Sequence, residues 1–376
     1  MPTIAVAAIS ARAMAEAAAR DGWQVIALDL FGDVDTRRAA TRWQRIGSPA
    51  HLQIEPASVL AALRALAEQG DGVSGWVAGS GFEGDPDVLE QGAAVLPLIG
   101  TAPEAVRRLR DPAAFFGFLL AHVIPFPPVR WEPPEHPEGW LLKDAHGCGG
   151  WHVGPVAAAL NERPTPHHYF QREMAGQPMS ATFIANGHEV QVLGFNVQQV
   201  RGVGPRPFTF CGAIGPVPLP PGLARRLTAI ARAITRAFDL RGLCSLDFMR
   251  DGDTIAVLEV NPRPPATLSL YPEHGVMRAH VGACLHGALP TAEPVSANQV
   301  HGFAILFATR PFTLAAVAAQ QLAAWPGICD LPAAGQRFEI DEPVCTLSAR
   351  GGDAAQVRAL LDADGEKLLQ FLETSP

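Results

Sequence analysis

Residues 257–265 read VLEVNPRPP, and this stretch decides the fold. An apolar run carries Glu259 and Asn261 two positions apart, then holds Arg263 between two prolines. In an extended strand, alternate residues share a face. Glu259 and Asn261 therefore point together, with Leu258 and Val260 packed behind them. The segment 244–261, CSLDFMRDGDTIAVLEVN, predicts a hairpin that brings Asp247 up as a third oxygen donor. Two carboxylates about 4 Å apart repel by roughly 4 kcal/mol at an effective dielectric near 20. That cost is tolerable if one is protonated or a cation lies between them. Carboxylate and amide oxygens are hard donors that suit magnesium. A plain edge hairpin with solvated acids is the alternative. The guanidinium that follows favours the cation, because a metal ion with an arginine is how proteins hold a polyphosphate.

Register constrains the hairpin. Directly paired residues share a face, so Asp247 and Glu259 can serve one site only if paired positions sum to an even number. A regular two-residue turn at Asp251-Gly252 would pair Arg250 with Asp253, an odd sum. The sequence therefore predicts a three-residue loop, Asp251–Asp253 with Arg250 opposite Thr254, or else a bulge that restores the register.

Two further segments carry chemistry. In WLLKDAHGCGGWHV, 140–153, Lys143 ends an apolar strand and precedes a loop containing Gly147, Gly149 and Gly150. Glycines let backbone N–H groups approach an anion, and the lysine adds a point charge. No Lys-Ser/Thr follows the glycines, so this is not a Walker A loop, and a flexible turn is the competing reading. His146, Cys148 and His152 as zinc ligands lack a fourth partner at natural spacing. In YFQREMAGQPMSATF, 169–183, one strand leads through Gly176 into another, a hinge able to read an adenine edge or simply an interdomain strand.

The rest of the chain frames these pieces. At 376 residues it is long enough for two or three domains, and its net charge of −8 argues against a nucleic-acid footprint. Six dispersed cysteines without a CxxC pair fit a reducing cytoplasm. The first residues lack a basic leader before an apolar core, and no run of about 18 apolar residues predicts a membrane span. Residues 1–100 alternate strand and helix: Thr3–Ile9, Ala11–Arg20, Trp23–Asp29, Val73–Ala78 and a helix from Pro86, the pattern of a parallel sheet. Helices Pro103–Arg110 and 112–122 and a proline-rich connector follow, then a strand-rich unit with a helix at 222–238. A linker is expected at 289–298, and beyond it short strands and a closing helix near 353–372.

Taken in order, a lysine strand with a glycine loop, a hinge, a helix and Asp…Glu-x-Asn-x-Arg resemble the ATP-grasp superfamily over nearly the whole chain. GSGFEGDPDVLE, FQREMAG and LEVNPRPP resemble a bacterial subgroup of ATP-dependent carboligases related to tyramine–glutamate ligase and tied to one-carbon cofactor synthesis. DLPAAGQRFEIDEPVCTLSARG resembles the tail of biotin-carboxylase-type members. The resemblance implies a mixed α/β and α+β chain: a Rossmann-like N-terminal domain at 1–100, an ATP-grasp domain of two subdomains at 101–290 and a small β-rich domain at 299–376. It implies Asp247, Glu259 and Asn261 as ligands of magnesium, two ions with manganese able to substitute. Arg263 would stabilise phosphoryl and acyl phosphate groups. Lys143 would contact ATP phosphates under the Gly147, Gly149 and Gly150 loop, and Gln171, Arg172 and Met174 would form the adenine hinge. Two departures stand out. Where the family has a second lysine the chain reads RLRDPAAF, with Arg110 as the substitute. Near Gln177-Pro178 the usual ribose acid is missing, and Glu173 is the candidate.

These features imply a cytoplasmic carboxylate–amine ligase acting on a small acid and an amine, with no nucleic-acid or membrane partner. Arg201 and Arg206 are candidates for holding a substrate carboxylate. A biotin-carboxylase-like enzyme using bicarbonate is one alternative, and a nucleotide-binding protein without catalysis is another. An NAD-binding oxidoreductase, suggested by Asp29, is disfavoured because AAISARAM, 7–14, lacks GxGxxG.

Overall fold

Continuous apolar runs form the inner strands of the first sheet because both of their faces are covered. Strands β1 (Thr3–Ala7), β2 (Gln24–Asp29), β3 (Arg42–Arg45) and β4 (Val73–Ala78) lie parallel in the order β3-β2-β1-β4. Every residue of β1 is buried. Helices Arg12–Arg20, Pro56–Glu68 and Pro86–Val95 belong to this unit, and Trp76 packs edge-on against Phe82 with ring centroids 5.6 Å apart. Asp85 caps the third helix by accepting from the Val88 N–H at 3.2 Å. This computed structural model describes residues 1–68, 72–159, 165, 167–273, 275–291 and 299–374.

Helices Pro103–Arg110 and Pro112–Ala121 lead into the next unit, the second capped by Asp111 with a proline at its first position. Strands β5 (Val129–Arg130), β6 (Trp140–Asp144), β7 (Val153–Pro155) and β8 (His168–Arg172) make a four-stranded sheet in the order β5-β8-β6-β7. The chain then passes through Gly176, at φ +131°, into an antiparallel eight-stranded sheet. Its strands are β9 (Gln177–Asn186), β10 (Val190–Val203), β11 (Arg206–Gly215), β12 (Arg241–Asp251), β13 (Thr254–Asn261), β14 (Val300–Phe307), β15 (Ile328–Cys329) and β16 (Pro343–Gly351). They follow the order β13-β12-β9-β10-β11-β14-β16-β15. Helix Pro221–Phe238 covers one face through Leu227, Ile230 and Ile234, which pack with Phe183, Leu246 and Phe248.

The hairpin solves its register with a bulge. Its turn is two residues, Gly252-Asp253, with Asp251 opposite Thr254 and Arg250 opposite Ile255. The three-residue loop is therefore corrected: Gly252 takes φ +57° and the turn closes one pair later than a turn at Asp251-Gly252 would. Those pairs sum to an odd number. The register then shifts between Asp247 and Phe248, with Leu258 as the extra residue, so that Asp247 faces Glu259 and Ser245 faces Asn261.

Of the strands after residue 299, β14, β15 and β16 extend the large sheet, while Phe312–Thr313 and Arg337–Phe338 pair in a two-stranded sheet of their own. β14 pairs with β11 through Ala213 and Phe303, and with β16 through Phe303 and Ser348. Helix Ala354–Thr374 covers this end on the same side as Pro221–Phe238. Of the expected linker, 292–298 lies outside the described residues. No helix among the described residues is long and apolar enough to cross a membrane.

A Cβ on Gly302 would lie 2.4 Å from Val357 Cγ1, so the closing helix seats on a bare strand position. Gly302→Val is expected to destabilise the protein by about 1–3 kcal/mol through overpacking. Urea unfolding measures this, and hydrogen exchange should show lost protection in 354–374. Unchanged stability would mean that the helix is not docked on β14.

Candidate active site

The bulge at Leu258 puts two carboxylates on one face of the large sheet. Asp247 lies opposite Glu259 on one side and Ser180 on the other, and Ser180 lies opposite Asn196. A polar row thus crosses four strands. Behind it, the Asn196 amide donates to Ser180 Oγ at 3.2 Å and Thr182 Oγ1 at 3.0 Å, and accepts from the Tyr271 hydroxyl at 2.7 Å. Buried polar groups of this kind are affordable only when bonded to one another.

The acids themselves are less complete. Asp247 Oδ1 is buried without a hydrogen-bond partner among the described residues, while Oδ2 accepts from Asn261 Nδ2 at 3.3 Å. Burial and the neighbouring Glu259 push the Asp247 carboxyl up to about 7. For Glu259, burial works upward, but Arg110, Lys143 and the other nearby cations outweigh it and the pKa falls. An orphaned carboxylate oxygen beside a second carboxylate is a donor set that fits magnesium. Asn261 turns its amide nitrogen toward Ser245, Asp247 and Glu259, and its oxygen toward Arg263 Nη2 at 3.4 Å. Service as an oxygen ligand therefore requires the amide to turn over.

Cations ring this pair. Lys143, buried, donates to Gln171 Oε1 at 3.2 Å and lies 5.9 Å from the Tyr169 ring centroid, Tyr169 being its cross-strand partner. Burial lowers its pKa, but Tyr169, Glu259 and Asp247 more than offset this and the pKa ends raised. Arg110 Nη1 lies 3.6 Å from Glu259 Oε2, and its Nη2 donates to the Gly147 carbonyl at 3.2 Å. The substitute cation suggested by RLRDPAAF thus reaches both the acid pair and the glycine loop.

Glu83, which sequence reasoning left out, completes the arrangement. It follows β4, is 3 % exposed, and accepts from Arg263 Nε at 2.5 Å and from the Gly81 N–H at 2.8 Å. Burial would raise its pKa, yet Arg263 and Arg110 hold the carboxyl down at about 2. The only sequence signal was an acid set among glycines in GSGFEGD.

The acid pair, Lys143, Asn261 and Arg263 line a cleft of about 760 Å³ between the small and large sheets and the first domain, with Glu83 and Arg110 behind them. Lys143, Gly149, Gly150, Gln171, Arg172, Glu173, Met174, Asp247, Glu259, Asn261 and Arg263 all border it. Gly147 does not, though a Cβ there would meet His152 Cγ at 2.1 Å. The Arg172 side chain turns away to the Glu138 carbonyl at 2.8 Å. The backbone N–H groups of Arg172 and Glu173 donate to Pro128 and Gly139, so those two donors are already engaged. Neither Arg201 nor Arg206 borders the cleft; Arg206 stacks on Trp151 at 3.7 Å. No three His, Cys, Asp or Glu side chains among the described residues gather as a metal site, which leaves the zinc reading without support. Asp29 is fully buried and accepts from the Ala11 and Gly32 N–H groups and Trp43 Nε1, so its oxygens are spent inside the first domain.

Residues 111–267, which hold the hinge, Lys143 and the acid pair, match the ATP-grasp domain family. The chain carries an ATP-grasp domain. The large chain of carbamoyl phosphate synthase from Myxococcus xanthus is 24% identical over 52% of this chain, which spans only 20% of that protein. The L-amino acid ligase of Bacillus licheniformis superposes with a TM-score of 0.73 at 13% identity, covering 98% of this chain and 97% of that one. Biotin carboxylase from Campylobacter jejuni gives 0.72 at 15% identity, covering 98% and 95%. These likenesses establish an ATP-grasp fold with its N-terminal parallel-sheet domain.

The raised Asp247 carboxyl has a measurable consequence. The folded metal-free protein holds that proton up to about pH 7, whereas the ordinary value is 3.8, so this group's contribution to stability falls as pH rises between them. Asp247→Asn is expected to flatten that slope, raise the melting temperature of the metal-free protein at pH 7 and abolish any stabilisation by added magnesium. Calorimetric melts at pH 5 and 7 check this. A magnesium-induced shift that survives in Asp247→Asn would remove Asp247 from the metal site.

Proposed function

We propose that the chain is an ATP-dependent carboxylate–amine ligase working through an acyl phosphate. The observation that carries this reading is the Asp247–Glu259 pair, set face to face in a cleft that also holds Lys143, Arg263 and the hinge. The ATP-grasp match over 111–267 supports it. ATP would lie between the small and large sheets, its base at Gln171–Met174 and its phosphates toward Lys143 and the Gly149-Gly150 backbone. Asp247, Glu259 and Asn261 would hold magnesium, two ions by family resemblance, and magnesium bound there neutralises phosphate charge during transfer.

The chain's own residues then have simple tasks. A substrate carboxylate oxygen attacks the γ-phosphorus, and ADP leaves. Arg263, oriented by Glu83, faces the resulting acyl phosphate, while the glycine loop keeps water from it. The amine attacks the acyl carbon, phosphate leaves with the C–O bonding pair and takes up the proton the nitrogen sheds, and an amide remains. Positioning supplies much of the rate. The free thiols and the lack of a CxxC pair suit the cytoplasm. We place the reaction in one-carbon cofactor synthesis, of the methanofuran or tetrahydromethanopterin type, on the resemblance of GSGFEGDPDVLE, FQREMAG and LEVNPRPP. Bicarbonate as the activated acid is the second reading, favoured by the fold likeness to biotin carboxylase.

ADP release with ATP, magnesium and pairs of acids and amines tests the reading, with glutamate and tyramine among them and bicarbonate as a separate arm. Turnover should require both an acid and an amine. Glu259→Gln should lower kcat by about a hundredfold or more. Lys143→Ala should weaken ATP binding roughly tenfold, the loss of one charge-assisted contact. Undiminished turnover in Glu259→Gln would sink the metal assignment, and ATP binding without substrate-dependent ADP release would leave a nucleotide-binding protein.

A further inference from the structure

From Gly302 onward, strand β14 is apolar on both faces. Leu306 packs under helix Ala354–Thr374 with Val357, Leu361 and Leu368, and Gly302 and Ala304 share that side. The alternate residues Phe303, Ile305 and Phe307 border the cleft instead. A strand with a near-continuous apolar run belongs where both faces are removed from water. Here a helix covers one face, and open cleft lies over part of the other.

The patch is broader than one strand. Val200, Phe208 and Phe210 on β10 and β11 border the same cleft, and the Phe210 and Phe303 rings lie 6.0 Å apart at 57°. The cross-strand series Gln198, Ala213, Phe303 continues the face that carries Asn196, Ser180 and Asp247. Four strand spacings separate β12 from β14, about 19 Å at the usual interval. The hinge enters the sheet at β9, so Gln171–Met174 lie across β10 from Phe303, Ile305 and Phe307, while Val200 sits on β10 and the Gly149-Gly150 loop meets the backbone of Phe208 and Phe210. The charged pair at this end, Arg12 and Asp330, is closed on itself at 2.8 Å. Beside polar side chains such as Ser10, Gln198 and Thr346, the cleft offers the apolar wall as a surface that can discriminate between substrates.

We infer that the wall formed by Val200, Phe208, Phe210, Phe303, Ile305 and Phe307 is the co-substrate subsite, and that one of the two molecules joined carries an apolar, ring-sized side chain. This rests on the ligase reading above and names its substrate class. A side chain of that size covers what remains exposed of Val200, Phe208, Phe210 and Ile305, with the buried Phe303 and Phe307 beneath, and gains the free energy of leaving water, whereas a polar one leaves its own groups unbonded there.

The test uses the whole chain with ATP and magnesium and reads ADP release. In the acid arm, phenylalanine, leucine, serine and aspartate are each offered with hydroxylamine as the amine. In the amine arm, phenethylamine and ethanolamine are each offered with glutamate. The apolar member of one arm should be preferred in kcat/KM by about tenfold or more. Ile305→Thr, polar and one methyl shorter, should erase that preference where Ile305→Val keeps it, and Ile305→Trp should block phenylalanine or phenethylamine by filling the wall. Circular dichroism controls for folding in each variant. A preference for the polar compounds, no preference, or an apolar preference unchanged in both Ile305→Thr and Ile305→Trp overturns the subsite. If ATP binds but no pair releases ADP, the ligase reading fails separately. Calorimetry of phenylalanine and phenethylamine with the ATP-bound protein then decides: binding weakened tenfold by Ile305→Trp supports the subsite, and no binding overturns it.

Discussion

Two carboxylates held opposite one another across a hairpin are the constraint on which the site depends. Asp247 and Glu259 repel, and unscreened like charges directly opposite each other destabilise a sheet. The chain nonetheless spends a bulge at Leu258 to bring them together. With regular pairing all the way from the Gly252-Asp253 turn, Glu259 and Asn261 would face the helix Pro221–Phe238. The surroundings answer the repulsion with Arg110, Lys143 and the Asn261 amide, yet leave Asp247 Oδ1 without a hydrogen-bond partner among the described residues. A site so nearly neutralised, with one donor still open, is poised for a cation rather than arranged for stability.

Charge also fixes the first domain over this cleft, at two places. Glu83, beyond β4, meets Arg263, just after β13. On the other side, Arg12 meets Asp330 at 2.8 Å, and Asp35 accepts from the Asp330 and Leu331 N–H groups at 2.7 and 3.0 Å. Buried ion pairs return little net stability after desolvation, so their effect is better sought in position. Both sets border the cleft or abut residues that do, and both join segments more than 150 residues apart: 83 to 263 and 12 to 330. Sheet, hinge and first domain are thereby held in one relation around the reacting groups.

This distance in sequence explains what could be read beforehand and what could not. The shared face of Glu259 and Asn261 follows from the period of a strand, and the need for a bulge followed from parity. Lys143, Gln171 and the loop glycines sat in local patterns whose geometry the chain fixes within a few residues. Glu83 had no such pattern; its meaning comes from Arg263, 180 residues away. Ser180 and Thr182 are fully buried in β9 at alternate positions, a polar stripe legible only once β12 is known to lie alongside. Arg201 and Arg206 looked available in sequence, but stacking on Trp151 and the direction of β10 and β11 take them out of the cleft.

The glycine loop shows how one composition can have two causes. Glycines near a lysine suggested close approach to phosphate, but two of the three are required by protein packing alone. A Cβ on Gly147 would enter the His152 ring, and one on Gly150 would lie 1.9 Å from the Phe208 carbonyl oxygen. Gly149, at φ +67°, has room for a Cβ in ordinary contact with Trp151, and its carbonyl accepts from the Phe210 N–H at 3.0 Å. With Arg110 holding the Gly147 carbonyl and Arg206 stacked on Trp151, the loop is tied down on both sides of the cleft. The contacts that tie it to β11 come from Phe208 and Phe210, two residues of the apolar wall. Those contacts run through the Phe208 carbonyl and the Phe210 N–H, so a co-substrate proposed to sit against the two rings would lie beside the loop proposed to cover the phosphates.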